Sequence, residues 1–315
     1  MKKFILKSLL FLILLLLLIS PLLFFKIGGD SWRFIDNPTA LIIDKANRIK
    51  SLKSPKLIIA GGSSSFFGIN SELIEREFPY NIVNMAQFGS FGLKFILDQT
   101  SDCLNKRDVV FLNPEYFLNV NIKNVAQNDI LRYYPDAQKY LKDSKVTYID
   151  QITSNFQNNV ESIFAFVLKP MSQKSPIFKH SREANVYGDA IGYLRYESPK
   201  TKAKFPKLTY RYYEGIDLIK KYIDLANKQE AKVYVIFPPI SRSAYLQNSK
   251  VIEHLYNDMA AKFGDRILCT PSEMVFDDSL FFDTESHLDK NGREIRTKRL
   301  ISFFKRKQIE IARNQ

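Results

Sequence analysis

From Ser8 to Phe25 the chain carries no charge, and the run "SLLFLILLLLLISPLLFF" is apolar on every face. All-round apolarity, rather than a stripe, marks a helix with no aqueous side. At about 1.5 Å per residue the stretch reaches about 27 Å, close to the hydrocarbon thickness of a bilayer. It predicts a membrane-spanning segment within residues 1–27. Beyond it the pattern changes to short apolar runs closed by Gly or Pro, alternating with amphipathic stretches. "KLIIAGG", "YNIVNMA", "DVVFLNP", "AKVYVIFPP" and "DRILCTP" read as buried strands. "NSELIEREF", "FGLKFILDQTSDCL", "EGIDLIKKYIDLANKQE" and "NGREIRTKRLISFFKRKQIEI" read as helices, the first with Asn70 or Ser71 as its cap. Strands alternating with helices predict an α/β fold, a parallel sheet covered on both faces.

This rhythm divides the chain into a segment 28–55, read as a linker with a short helix around "NPTALIIDKANRIKSL", and a domain over 56–313. The rhythm breaks at about 117–213, a stretch rich in Lys, Asn, Tyr and Phe without a strand pattern. An insertion of that length between sheet elements is expected to form a lid or a binding surface.

Charge settles the expected orientation. Lys2, Lys3 and Lys7 precede the apolar run and only Lys26 follows it closely, which places the N-terminus in the cytoplasm and the domain outside. The end of the run, "ISPLLFFKIGG", has no small-x-small motif, so an uncleaved anchor is expected rather than a signal peptide. The formal net charge is +13, with basic residues scattered along the chain. Outside a cytoplasmic membrane the matching partners are lipid headgroups or an acidic cell-envelope glycan, and no nucleic-acid-binding motif is present. Cys103 and Cys269 are the only cysteines; they have no metal-ligand spacing and leave open both one bridge and two separate thiols. Neither a cofactor nor a metal is implied.

The chemistry concentrates in two short stretches. "GGSSSFFG" follows the first strand, without the G-x-S-x-G spacing of an ordinary α/β-hydrolase elbow. "FFDTESHLDKNG" lies near the other end of the domain. Loops at the carboxyl ends of parallel strands share one edge, so Ser63 and His287 are expected to be neighbours. His287, on a loop, suits a general base, and Asp283, four residues earlier, suits the group that orients its ring. His254 on a helix and His180 in the insertion read as packing or surface residues. Asp283, Glu285, His287, Asn291 and Glu294 also fall on calcium-loop positions, but Leu288 replaces the glycine that such a loop requires. The basic residues of the last helix, Arg296 among them, read as a solvated face, with Ile295, Leu300, Phe303 and Phe304 turned inward.

"GGSSSFFGI" and "DTESHLDKNG" resemble the first and last blocks of the SGNH (GDSL-like) hydrolase superfamily, and most closely its membrane-anchored DltD-like and alginate-acetylation members. The resemblance implies a three-layer, flavodoxin-like fold with Ser63 as nucleophile, His287 as base and Asp283 as the orienting acid. It implies Gly89, in "NMAQFGSFG", and Asn113, in "FLNPEYF", as oxyanion donors, with Glu115 the other candidate for a role in that third block. It further implies acyl transfer or hydrolysis on a cell-envelope polysaccharide or teichoic-type polymer, with a membrane-bound O-acyltransferase as partner. The alternative is a silent module of the same fold that binds glycan or scaffolds such a transferase. The acid lies four residues before the histidine instead of three, and the third block lacks the G-x-N-D form.

Overall fold

The computed structural model describes residues 2–24, 38–141, 152–153, 156, 159–160 and 183–313. Residues 25–27 of the expected anchor, 28–37 of the expected linker, His180 and much of the expected insertion lie outside these. Within Lys2–Pro21, helix α1 (Lys2–Phe24) buries nothing against the other described residues, and it is long and apolar enough to cross a membrane. Helix α2 (Leu41–Ser51) follows a short turn and turns Leu41, Ile42, Ala46 and Ile49 inward.

The centre is a parallel four-stranded sheet in the order β2 (Asn81–Asn84), β1 (Lys56–Gly61), β3 (Val109–Asn113), β4 (Lys232–Val235). Every residue of β1 and β3 is buried, which is why those strands read as unbroken apolar runs rather than alternating ones. Between the strands run α3 (Ser63–Gly68), α4 (Ser71–Glu77) and α5 (Leu93–Ser101), and the helix Gly215–Lys228 leads into β4. The expected strand "DRILCTP" forms only a bridge from Ile267 to Val235, because a 3-10 turn over Gly264–Arg266 occupies its start. A second, two-stranded pair joins β5 (Ile240–Ser241) to β6 (Val275–Phe276).

The C-terminal helix, Lys290–Arg313, lays Phe304 edge-on against Phe78, Phe111 and Tyr234, with ring centroids 5.0 to 5.6 Å apart. Its inward face differs from the sequence reading. Arg296 is fully buried and Ile295 is 38% exposed, because the helical stripe runs Arg293, Arg296, Leu300, Phe304 and the arginines find buried carbonyls and a carboxylate.

Part of the expected insertion is core rather than lid. Helix α6 (Asn124–Tyr133) and the turn after it close a second apolar cluster with Ile42, Ala46, Phe91 and Phe95. Asp189, fully buried, accepts from Ser71, Asn84 and Arg293 and binds the returning chain to the sheet edge. Residues 196–213 run over the surface without a helix or strand. Lys45 of α2 is also buried; its Nζ donates to the carbonyls of Asn84, Ala86 and Gly188 at 2.8, 2.6 and 2.7 Å. Burial pushes its amine down to about 7 against the opposing pull of Asp189.

Candidate active site

Register decides what meets at the carboxyl edge of the sheet. Gly61 ends β1 opposite Asn113 of β3, and Ile59 pairs with Asn84 of β2. The segments 61–65, 84–87 and 113–115 therefore leave the sheet side by side. The glycine pair is required by close approach: a Cβ on Gly61 would lie 2.5 Å from the Asn113 carbonyl oxygen, and one on Gly62 would lie 2.5 Å from Glu115 Oε1. Serines immediately after it start a helix instead of continuing a loop, with Ser63 as the first residue of α3.

The three serines differ in surroundings. Ser64 and Ser65 are 1% and 0% exposed, whereas Ser63 is partly exposed. Ser64 Oγ donates to Glu115 Oε1 at 2.7 Å and accepts from Asn113 Nδ2 at 2.8 Å. Ser65 Oγ accepts the other Asn113 amide hydrogen at 2.8 Å. Ser63 Oγ instead lies 2.9 Å from His287 Nε2.

His287 Nδ1 in turn lies 2.9 Å from Asp283 Oδ1, so Nδ1–H donates to the carboxylate and Nε2 is free to accept the serine proton. The four-residue step is bridged by Thr284, whose Oγ1 accepts the N–H groups of Ser286 and His287 and tightens the turn. Phe282 N–H donates to the His287 carbonyl at 2.8 Å. The imidazole stacks on Phe67, centroids 4.5 Å apart and planes 11° apart, and Phe67 continues to Tyr193 and Phe282 as an aromatic wall. A surface segment completes the loop: Ala203 N–H donates to the Asp283 carbonyl at 2.7 Å, and Glu285 accepts from Phe205 N–H and Lys204 Nζ.

The charges are arranged in two layers. Burial would raise the Asp283 carboxyl, but hydrogen bonds from His287 and from the loop backbone outweigh it and hold the group below its usual value. Behind the serines, burial raises Glu115 above the ordinary glutamate value, against the hydrogen bonds it accepts from Ser64 and the charge of Arg296. Burial likewise lowers Arg296 to about 10, opposed first by Glu115. Arg296 Nη1 donates to the Ser64 carbonyl at 2.7 Å and Nη2 to the Phe237 carbonyl at 3.2 Å.

Ser63, His287 and Asp283 are thus brought together. Asn113 is not brought to Ser63; both its amide hydrogens are engaged by Ser64 and Ser65. Gly89 opens a short turn over Gly89–Phe91 at the same sheet edge and makes no hydrogen bond to the three. Gln87, which the sequence reading passed over, donates its backbone N–H to the Gly61 carbonyl, and its buried side-chain amide has no partner. His254 stacks on Tyr210, away from this group. Cys103 and Cys269 are both free thiols. Among the described residues no cluster of His, Cys, Asp and Glu is arranged to hold a metal ion. A cleft of about 750 Å³ lined by Lys45, Arg48, Glu72 and Tyr187 includes none of the three, and its two cations already serve backbone carbonyls. No protein-family model matches the chain, and no curated protein is significantly similar to it.

Proposed function

We propose that the chain is a membrane-anchored, extracytoplasmic serine acyltransferase or esterase of SGNH type, acting on O-acyl groups of a cell-envelope polysaccharide or teichoic-type polymer. The observation that carries the reading is the relay Ser63–His287–Asp283, with both contacts at 2.9 Å. A serine hydroxyl is a weak nucleophile until a base takes its proton, and a neutral imidazole oriented by a carboxylate is such a base. The parallel sheet, with the serine after its first strand and the histidine before the last helix, supports the three-layer SGNH fold; α1 and its flanking lysines support the anchor and its orientation.

Ser63 Oγ would form a bond to the acyl carbonyl carbon while its proton passes to His287 Nε2. Collapse of the tetrahedral adduct breaks the ester bond, and the leaving oxygen takes the proton back from His287. A sugar hydroxyl or water then attacks the acyl-enzyme carbonyl with His287 again as base; the acyl–Ser63 Oγ bond breaks and Ser63 Oγ takes the proton back from His287. Gly89 N–H is one oxyanion donor on this reading; Asn113 becomes the other only by releasing Ser64 or Ser65. Donors of this kind are worth about 3 to 4 kcal/mol each. A membrane-bound O-acyltransferase would supply the acyl group across the bilayer.

The engaged amide of Asn113 favours one competitor, a silent glycan-binding or scaffold module. A fluorophosphonate probe separates the two. Labelling that Ser63→Ala abolishes and Ser64→Ala retains supports the enzyme, and an unlabelled wild-type chain supports the scaffold. A reporter fused after Gln315 that is active only in the cytoplasm would overturn the orientation.

A further inference from the structure

We infer that Glu115 is a positioning residue for Ser63: with Arg296 it grips the backbone just after the nucleophile from two sides and so sets where the Ser63 hydroxyl points. For the meaning of that hydroxyl the inference rests on the acyl-transfer reading above; for its geometry it does not.

Glu115 Oε1 accepts the Ser64 N–H at 3.1 Å, which is the N–H of the peptide group joining Ser63 to Ser64. Arg296 Nη1 donates to the carbonyl of the next peptide group at 2.7 Å. A peptide group is planar, so fixing the direction of its N–H fixes ψ of Ser63. The Ser63 side chain is then left with χ1 alone and three staggered positions. In the one it occupies, Oγ lies 2.9 Å from His287 Nε2.

Four further features converge on the same carboxylate. Ser64 is a hydroxyl residue that adds a second hydrogen bond to Glu115 Oε1, at 2.7 Å. Gly62 has no Cβ, which would sit 2.5 Å from that oxygen. Glu115 itself holds φ of +55°, a left-handed conformation that a non-glycine residue adopts at a cost and that clusters at functional sites. Asn113 Oδ1 accepts the Glu115 N–H at 3.2 Å and secures that conformation. A carboxylate held in strained backbone, with a glycine cleared for it and a serine turned to it, is placed to act on the turn. Glu115 touches no reacting atom, so it works through Ser63.

The test uses the full chain in detergent micelles, comparing wild type, Glu115→Gln and Glu115→Ala by the rate and the concentration dependence of fluorophosphonate labelling. Glu115→Gln keeps an oxygen that accepts the Ser64 N–H and should slow the maximal labelling rate by no more than about tenfold, the loss of a charge-assisted bond. Glu115→Ala frees the turn and should slow it by about 100-fold, the effect of a misplacement of about 1 Å. The half-saturating probe concentration should stay unchanged in both, because neither variant touches the probe. Rates of folded protein that match wild type in Glu115→Ala, or losses that only follow the unfolded fraction in thermal melts, overturn the inference. Crystal structures of wild type and Glu115→Ala keep it separable from the proposed function. If wild type does not label at all, acyl transfer fails, and the positioning claim stands if Ser63 Oγ leaves His287 in the variant and falls if the 2.9 Å contact persists.

Discussion

Ser63 sits on a turn whose neighbours are buried, whereas His287 sits on a loop held from the surface. Behind Ser63 lie Ser64, Ser65, Asn113 and Arg296, each no more than 1% exposed. Around His287, the side chain of Asp283 is 42% exposed, and the loop's outer support is the segment 203–205, paired to the loop by an isolated bridge from Ala203 to Thr284. The aim of the nucleophile is a property of the core, and the aim of the base is a property of a surface contact. Damage to the first half should therefore appear in stability as well as in reactivity, and damage to the second chiefly in reactivity.

The largest expected effect falls on the second half. Asp283→Asn removes the charge that fixes the imidazole tautomer and should lower Ser63 labelling by about 10³- to 10⁴-fold, with a melt at neutral pH modestly below wild type. The Asp283 carboxyl titrates below the ordinary aspartate value in the fold, burial being outweighed by the hydrogen bonds it accepts. A depressed acid contributes stability above its unfolded pKa and loses it as the pH falls through the folded value. Melting curves of wild type and Asp283→Asn should accordingly converge as the pH drops below about 4; a gap that widens on acidification would contradict the assignment.

On the first half, Arg296→Met strips the donors from the buried carbonyls of Ser64 and Phe237. Two unsatisfied buried acceptors should cost roughly 3 kcal/mol of stability, read from denaturant midpoints. A midpoint equal to wild type would erase the contrast between the halves.

The smallest effects test the surface segment over the acid–base loop. Glu285 is 7% exposed and accepts from Phe205 N–H, so Glu285→Ala should slow labelling by about tenfold through a looser Asp283. Lys204, another of its partners, is 83% exposed, and Lys204→Ala should leave both melt and labelling unchanged. Equal losses in the two would mean that charge, not the backbone contact, holds the loop.

How far the sequence disclosed this arrangement depends on the type of signal. The four strands of the sheet were legible because both faces are covered and each strand is a run of apolar residues. Ser63, Asp283 and His287 were legible because a glycine-closed strand and a histidine-bearing loop must share one edge of a parallel sheet. Glu115 was marked only as an alternative, since nothing in "NPEYF" announces a left-handed backbone. Arg296 was misread outright. Helical periodicity assigns an arginine among lysines to solvent, and only the carbonyls at Ser64 and Phe237, 232 and 59 residues away in sequence, make its burial favourable. The apolar "ILC" was read as a strand because composition does not register how little partner strand remains beside Val235.

Lys45 carries a consequence of another kind. By fastening α2 to the carbonyls of Asn84 and Ala86, it makes that helix one body with the sheet edge, so Ser63 travels with the chain from Pro38 onward. The 13 positions between Phe24 and Pro38 can reach at most about 45 Å by covalent geometry. On the anchored reading that bound keeps Ser63 near the bilayer, where anything delivered at the membrane surface is present at high effective concentration. Lengthening the sequence there would dilute that encounter without touching a single residue of the site.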